Sequence, residues 1–191
     1  MRNLRIVAIG CLLALFHAGA NAASISLSSP SADPIAINGF VAFDITMDFS
    51  DEATLGGGFD IIYNGAVLDY VSFTFNALAS FPRDPGFDST ISDLAGKVQD
   101  IGFGNFAGLS GPYTIGTIIF QGIGAGTSGL TLGNTTGASG PFISNVTFEA
   151  MTVDYAGGSV TVEAAVVPLP AALLLAAPVL LTLGGLRRQA A

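Results

Sequence analysis

Phe40-Val41-Ala42-Phe43-Asp44-Ile45-Thr46-Met47-Asp48-Phe49 alternates in character over its whole length. Val41, Phe43, Ile45, Met47 and Phe49 share one parity, and Ala42, Asp44, Thr46 and Asp48 share the other. Successive side chains of an extended chain point to opposite faces, so this stretch reads as a strand with one side in a core and the other in water. Such a strand needs a second layer to bury its apolar face.

The segments around it supply that layer. Residues 59–63 follow Gly56-Gly57-Gly58 and put Phe59, Ile61 and Tyr63 on one face and Asp60 on the other. Asn64-Gly65 then gives a turn. Residues 68–75 read as a strand with Val71, Phe73 and Phe75 inward and Ser72 and Thr74 outward. Residues 98–103 and 114–120 are shorter and more uniformly apolar, as strands central to a sandwich are. Residues 130–132 and 146–148 are weaker strand signals. Residues 151–155 and 159–163 flank Ala156-Gly157-Gly158 and read as a terminal hairpin. No helical period persists over ten residues between positions 23 and 166. The fold class is all-β, a single sandwich or jelly roll, with Phe43, Ile45, Phe59, Ile61, Phe73 and Ile119 expected in one core.

Both ends of the chain are of a different kind. Arg2 and Arg5 precede the apolar run 6–16, and Ala20-Asn21-Ala22 supplies a small-x-small cleavage pattern, with Ala18-Gly19-Ala20 as competitor. This is the pattern of a secretory signal peptide cut after Ala22. At the other end, Val167-Pro168-Leu169-Pro170 leads into the apolar run 171–186, which stops at Arg187-Arg188. Those 16 residues make about 24 Å of helix at about 1.5 Å per residue. A hydrocarbon core is about 30 Å thick, so spanning it needs Leu169 and snorkelling arginines. The arginines are expected to stay cytoplasmic, with everything before them across the membrane. The expected organisation is a signal peptide over residues 1–22, a β-sandwich over 23–166 and a sorting tail over 167–191. The precursor is expected to be anchored in the inner membrane facing the periplasm, and the processed protein to reach the cell surface or the medium.

That order of motif, apolar helix and basic tip resembles the PEP-CTERM sorting signal of Gram-negative bacteria, in its Val-Pro-Leu-Pro variant. The resemblance implies an exosortase as processing partner, a membrane peptidase that removes the tail. A plain C-terminal membrane anchor is the competing reading.

Composition limits what the middle can do. The single cysteine, Cys11, and the single histidine, His17, both lie in the signal peptide, and there is no tryptophan. Residues 23–166 hold Arg83 and Lys97 against 14 carboxylates, a net formal charge of −12. Such an acidic surface excludes nucleic acid as a partner, because phosphate contacts need basic side chains. Without cysteine no disulfide forms, and stability must come from packing.

The run Leu55-Gly-Gly-Gly-Phe59-Asp-Ile-Ile-Tyr63-Asn64-Gly65-Ala66-Val67-Leu68 is similar to the signature of cohesin-type domains, where a Gly-Phe strand ends in Tyr-Asp-Pro-x-Val-Leu. Gly116-Thr-Ile-Ile-Phe120 resembles a later strand of the same family. Asn64-Gly65 replaces the usual Asp-Pro, and Gly56–Gly58 is glycine-heavy. The resemblance implies a nine-strand jelly roll, and the better-known members bind dockerin modules through one sheet face.

No catalytic residue is assigned. Residues 23–166 contain no Cys and no His, so no Ser-His or Cys-His pair and no zinc site of the usual ligands can be assembled. Lys97 has no supporting motif, and no cofactor is expected. Asp84, Asp88 and Asp93 in the loop 81–93 are the calcium candidates, with Asp48, Asp51 and Glu52 clustered at a strand end; oxygen ligands suit that cation. Neither cluster has the spacing of a dedicated calcium loop, and solvated acidic loops are the alternative. Asn134-Thr-Thr136 and Asn145-Val-Thr147 match the glycosylation pattern by chance. The expected function is that of a secreted, surface-sorted, non-catalytic component of the extracellular polysaccharide matrix. A protein-docking module of the dockerin type and a carbohydrate-binding module are the alternatives, with a surface protein or exopolysaccharide as partner.

Overall fold

The computed structural model describes residues 23–164. The signal peptide expected over residues 1–22, with Ala20 and Ala22, lies outside the described residues, and so does the sorting tail expected over 167–191, with Val167, Pro168, Leu169, Pro170, Arg187 and Arg188.

Twelve strands run in chain order: β1 (Ser24–Leu27), β2 (Ile35–Ala36), β3 (Phe40–Asp48), β4 (Thr54–Ile62), β5 (Leu68–Phe75), β6 (Ser92–Leu94), β7 (Lys97–Leu109), β8 (Tyr113–Gly122), β9 (Gly126–Asn134), β10 (Ile143–Ser144), β11 (Asp154–Ala156) and β12 (Gly158–Glu163). They form two packed sheets. One has the order β11-β1-β3-β8-β5; the other has the order β2-β12-β9-β4-β7-β6, with β10 on the start of β4. Two junctions are parallel, β1 with β11 and β12 with β2; the remaining pairs are antiparallel. Among the described residues the only helical turn is the short 3-10 segment Pro85–Phe87.

The alternation of the opening stretch is realised in full. Val41, Phe43, Ile45, Met47 and Phe49 are all buried, and β3 sits between β1 and β8. Phe59 and Ile61 from β4 meet them from the opposite sheet. Phe81, Phe103 and Phe142 close one end of the core, with ring centroids 5.1 Å apart for Phe81–Phe103 and 5.4 Å for Phe103–Phe142.

Several expectations are corrected, each for a local reason. Val71 is exposed, not inward. The β5–β8 register slips between Tyr70 and Ser72, so Val71 is the extra residue of a bulge and the inward phase passes from Leu68 to Phe73 and Phe75. Ile119 is only half-buried. The β3–β8 register slips at Ile45/Thr46, and Ile118 and Phe120 carry the inward face of β8 instead. Residues 146–148 are a turn. The Ser144 hydroxyl accepts the N–H groups of Val146 and Thr147, both at 3.0 Å, and Phe148 takes a left-handed φ of 59°. The terminal hairpin does not exist: β11 pairs with β1 and β12 with β9 and β2, so the chain changes sheet at Gly157.

Candidate docking face

The outer face of β4 and β7 holds the polar groups that packing does not explain. Phe59 pairs with Ile101, but Ile61 pairs with Val98, so Gln99 and Asp100 together oppose Asp60. This bulge turns Asp100 to a φ of 67°, a left-handed position that aspartate tolerates better than most residues. It also frees the Asp100 N–H to donate to Asp60 Oδ1 at 2.9 Å. Asp60 is only 3% exposed. Its carboxylate also accepts the Thr135 hydroxyl at 2.6 Å and the Thr136 N–H at 3.1 Å, and it pairs with Lys97 Nζ at 2.7 Å. Burial is the largest single influence and pushes the Asp60 carboxyl up; the donors, Lys97 first and then Thr135, together outweigh it and hold the group below the ordinary carboxylate range. Asp100, also buried, accepts the N–H groups of Ala138 and Ser139, each at 3.1 Å. Two inward-held carboxylates therefore fasten the turn 135–139 onto the sheet.

Beside those carboxylates the turn rests on bare backbone at Gly58 and Gly102. A Cβ at Gly58 would sit 2.8 Å from the Ser139 Cβ, and a Cβ at Gly102 would sit 2.7 Å from the same atom. Any larger residue would lift the turn off. The loop 81–91 covers the next part of the same stripe. Asp84 caps Pro85–Phe87 and its N–H donates to Gly104 O at 2.8 Å, while Ser89 accepts the Gly102 N–H at 2.8 Å. Arg83 braces the loop from below, pairing with Asp88 at 2.8 Å and lying 4.3 Å from the centre of the Phe75 ring.

Beyond the covered stripe an apolar groove of about 260 Å³ opens. Leu55, Phe87, Phe106 and Ile143 line it, with Gly56 and Ser139 at its floor and rim. Phe106 is 78% exposed, with its ring edge-on to Phe87 at 4.6 Å. The turn after β10 stands beside it: the Asn145 N–H donates to Ala53 O at 2.8 Å, and Val146 and Phe148 project into solvent.

No protein-family model matches the chain, and no curated protein does. Solved structures do match. The seventh ScaB type I cohesin of Pseudobacteroides cellulosolvens superposes with a TM-score of 0.58 at 14% identity, over 78% of this chain and 96% of that one. The sixth cohesin of Acetivibrio cellulolyticus scaffoldin B, solved in complex with a dockerin, gives 0.54 at 16% identity, over 74% and 99%. A non-cellulosomal cohesin from the archaeon Archaeoglobus fulgidus gives 0.52 at 13% identity, over 74% and 91%. The fold is the cohesin fold.

On this cohesin fold the three calcium candidates serve separate tasks. Asp84 caps the 3-10 turn, Asp88 pairs with Arg83, and Asp93 receives a long 3.4 Å contact from the Tyr63 hydroxyl. Among the described residues no three acidic, histidine or cysteine side chains gather in a metal-holding group. Asp48 accepts from Ser50, and the Glu52 carboxylate accepts from the Ser144 hydroxyl, so that second cluster is divided too. The sequence reading missed Asp60 and Asp100 as anchors of the turn, and Phe87 and Phe106 as exposed aromatics. One signal was available: Gly102, Gly104 and Phe106 share a parity opposite to Ile101 and Phe103, which places a large aromatic on the outer face beside two glycines.

Proposed function

We propose that this domain is an exported, non-catalytic protein-docking module, displayed at the cell surface after its tail has been processed. The observation that carries the proposal is the cohesin fold joined to an exposed aromatic groove. Matched cohesins of Acetivibrio cellulolyticus and Clostridium thermocellum were solved in complexes with dockerins, which makes a protein partner the reading supported for this chain. The absence of Cys and His from residues 23–166 supports a non-catalytic role. The signal-peptide and sorting patterns support display outside the cytoplasm, and a place among matrix components is the setting we infer for it.

The arrangement of aromatics favours docking over sugar binding. A carbohydrate site wants flat aromatic platforms in the open. Here Tyr63 is buried and Tyr70, Tyr113 and Tyr155 pack against the core. Phe87 and Phe106 instead bound a concave groove, the form of a side-chain pocket at a protein interface. The test is photo-crosslinking in the native host, with the photoreactive residue at position 106 on one face and at position 46 on the other. Discrete polypeptide adducts from either position are expected. Adducts to polysaccharide alone, or none from either face, would overturn the docking function.

A further inference from the structure

We infer that the groove bounded by Leu55, Phe87, Phe106 and Ile143 receives an apolar side chain from a polypeptide partner whose flanking residues are basic. This rests on the docking function proposed above and names its site and the partner's chemistry.

The location follows from what is covered. The middle of the β4–β7 face is sealed by the turn 135–139 and the loop 81–91, both pressed onto backbone at Gly58 and Gly102. A partner cannot lie across that stripe without displacing turns fastened by Asp60 and Asp100. The groove at its end is open, and its walls are apolar. At about 260 Å³ it falls below the roughly 300–1,000 Å³ of small-molecule sites, and it suits one large side chain of a polypeptide. Phe87 and Phe106 meet edge to face and form one wall, an aromatic anchor of the kind that dominates interfaces.

The partner's charge follows from what borders the groove. Asp84 caps the turn that carries Phe87, and Glu52 is held by Ser144, the neighbour of Ile143. Among the described residues both cations are committed elsewhere, Arg83 to Asp88 and Lys97 to Asp60. The groove is therefore an apolar pocket whose lining lies within three residues, in sequence, of two carboxylates, Asp84 and Glu52, and neither of the two cations pairs with either of them. A second copy of this chain would bring two bodies of net formal charge −12 together. Lysine or arginine flanking the inserted side chain meets this acidic body with opposite charge, which favours encounter.

The test uses the full chain in neutral-lipid nanodiscs and three labelled peptides of about a dozen residues, followed by fluorescence anisotropy. One has a Leu-Phe centre flanked by lysines, one has the same centre flanked by glutamates, and one has lysines around a Ser-Ser centre. The first is expected to bind at least about tenfold more tightly than the others, and to weaken as salt rises. Phe106→Ser, at a site too exposed to endanger the fold, and Phe87→Ser should each weaken it about 5- to 30-fold. The pair Asp84→Asn and Glu52→Gln should weaken it about 3- to 10-fold while tightening the glutamate peptide. Val71→Arg, on the exposed bulge of β5, should change nothing. Equal binding of the glutamate peptide, no binding by any peptide, or binding untouched by Phe106→Ser would overturn the inference. So would a concentration-dependent dimer that Phe106→Ser abolishes, which would make the occupant a second copy. Binding lost with Val71→Arg but kept with Phe106→Ser would sink the groove assignment while leaving the docking function standing.

Discussion

Asp60 belongs to the outer face of its strand, yet solvent reaches only 3% of it. Its sequence neighbours predict the face correctly and the burial not at all, because the groups that cover it, Thr135 and Thr136, come from a loop more than 70 residues away. Its partner Lys97 keeps a quarter of its side chain exposed, so the pair is partly screened and its worth is reduced accordingly. Asp60→Asn keeps the shape but removes the charge that holds Lys97 and two loop donors. It is expected to cost about 1–3 kcal/mol in urea unfolding at pH 7. The pH dependence follows from the depressed carboxyl. A group with a folded-state pKa below its unfolded value of about 3.9 contributes fully above that value. The contribution is lost as pH falls through the folded-state pKa. The gap between wild type and Asp60→Asn should thus be widest near neutrality and shrink below about pH 4. A gap that stays constant from pH 7 to about pH 3 would mean that the loss comes from the amide's own mismatched hydrogen bonds and not from the missing charge.

Among the elements, β3 was legible residue by residue, and β5 and β8 only in outline. The difference is the bulge. A strand that holds no extra residue carries one phase from end to end, so parity in the sequence is parity in space. Val71 in β5 and Ile115 in β8, opposite Ile45/Thr46, are each one residue too many for the pairing, and the apolar pattern of β5 and β8 on either side is too short to reveal it. The same limit hid Asp100, whose outward turn depends on the bulge opposite Asp60. Gly58 of β4 and Gly102 of β7, which the sequence shows only as glycines within strands, are the seat of the turn 135–139. That account has a direct consequence. Gly102→Ala should cost about 1–3 kcal/mol by overpacking against Ser139. In a Ser139→Gly background, where the obstructing side chain is gone, the same substitution should cost at least about 1 kcal/mol less. Additive effects in thermal or urea unfolding would show that the turn does not rest on Gly102.

At the scale of the whole molecule, the folded strands begin at Ser24 and end at Glu163. The two processing positions expected from the sequence, after Ala22 and near residues 167–170, fall just outside those limits, so neither cut would remove a residue from the strands of the described residues. On the sorting reading, Pro168 and Pro170, which each fix their own φ and bias the residue before them away from helix, would keep the backbone accessible to a membrane peptidase. On the same reading the short run 171–186 would serve for temporary holding, with Arg187-Arg188 setting its direction. If the tail is a sorting signal, protein isolated from the native cell surface should begin at Ala23, end between residues 167 and 170 by intact-mass spectrometry, and unfold at the same temperature as the uncut chain. Replacing Pro168 and Pro170 with alanine should leave the chain uncut and in the inner membrane. Surface material that still carries Arg187-Arg188 would rule out exosortase processing and leave the tail as a permanent anchor.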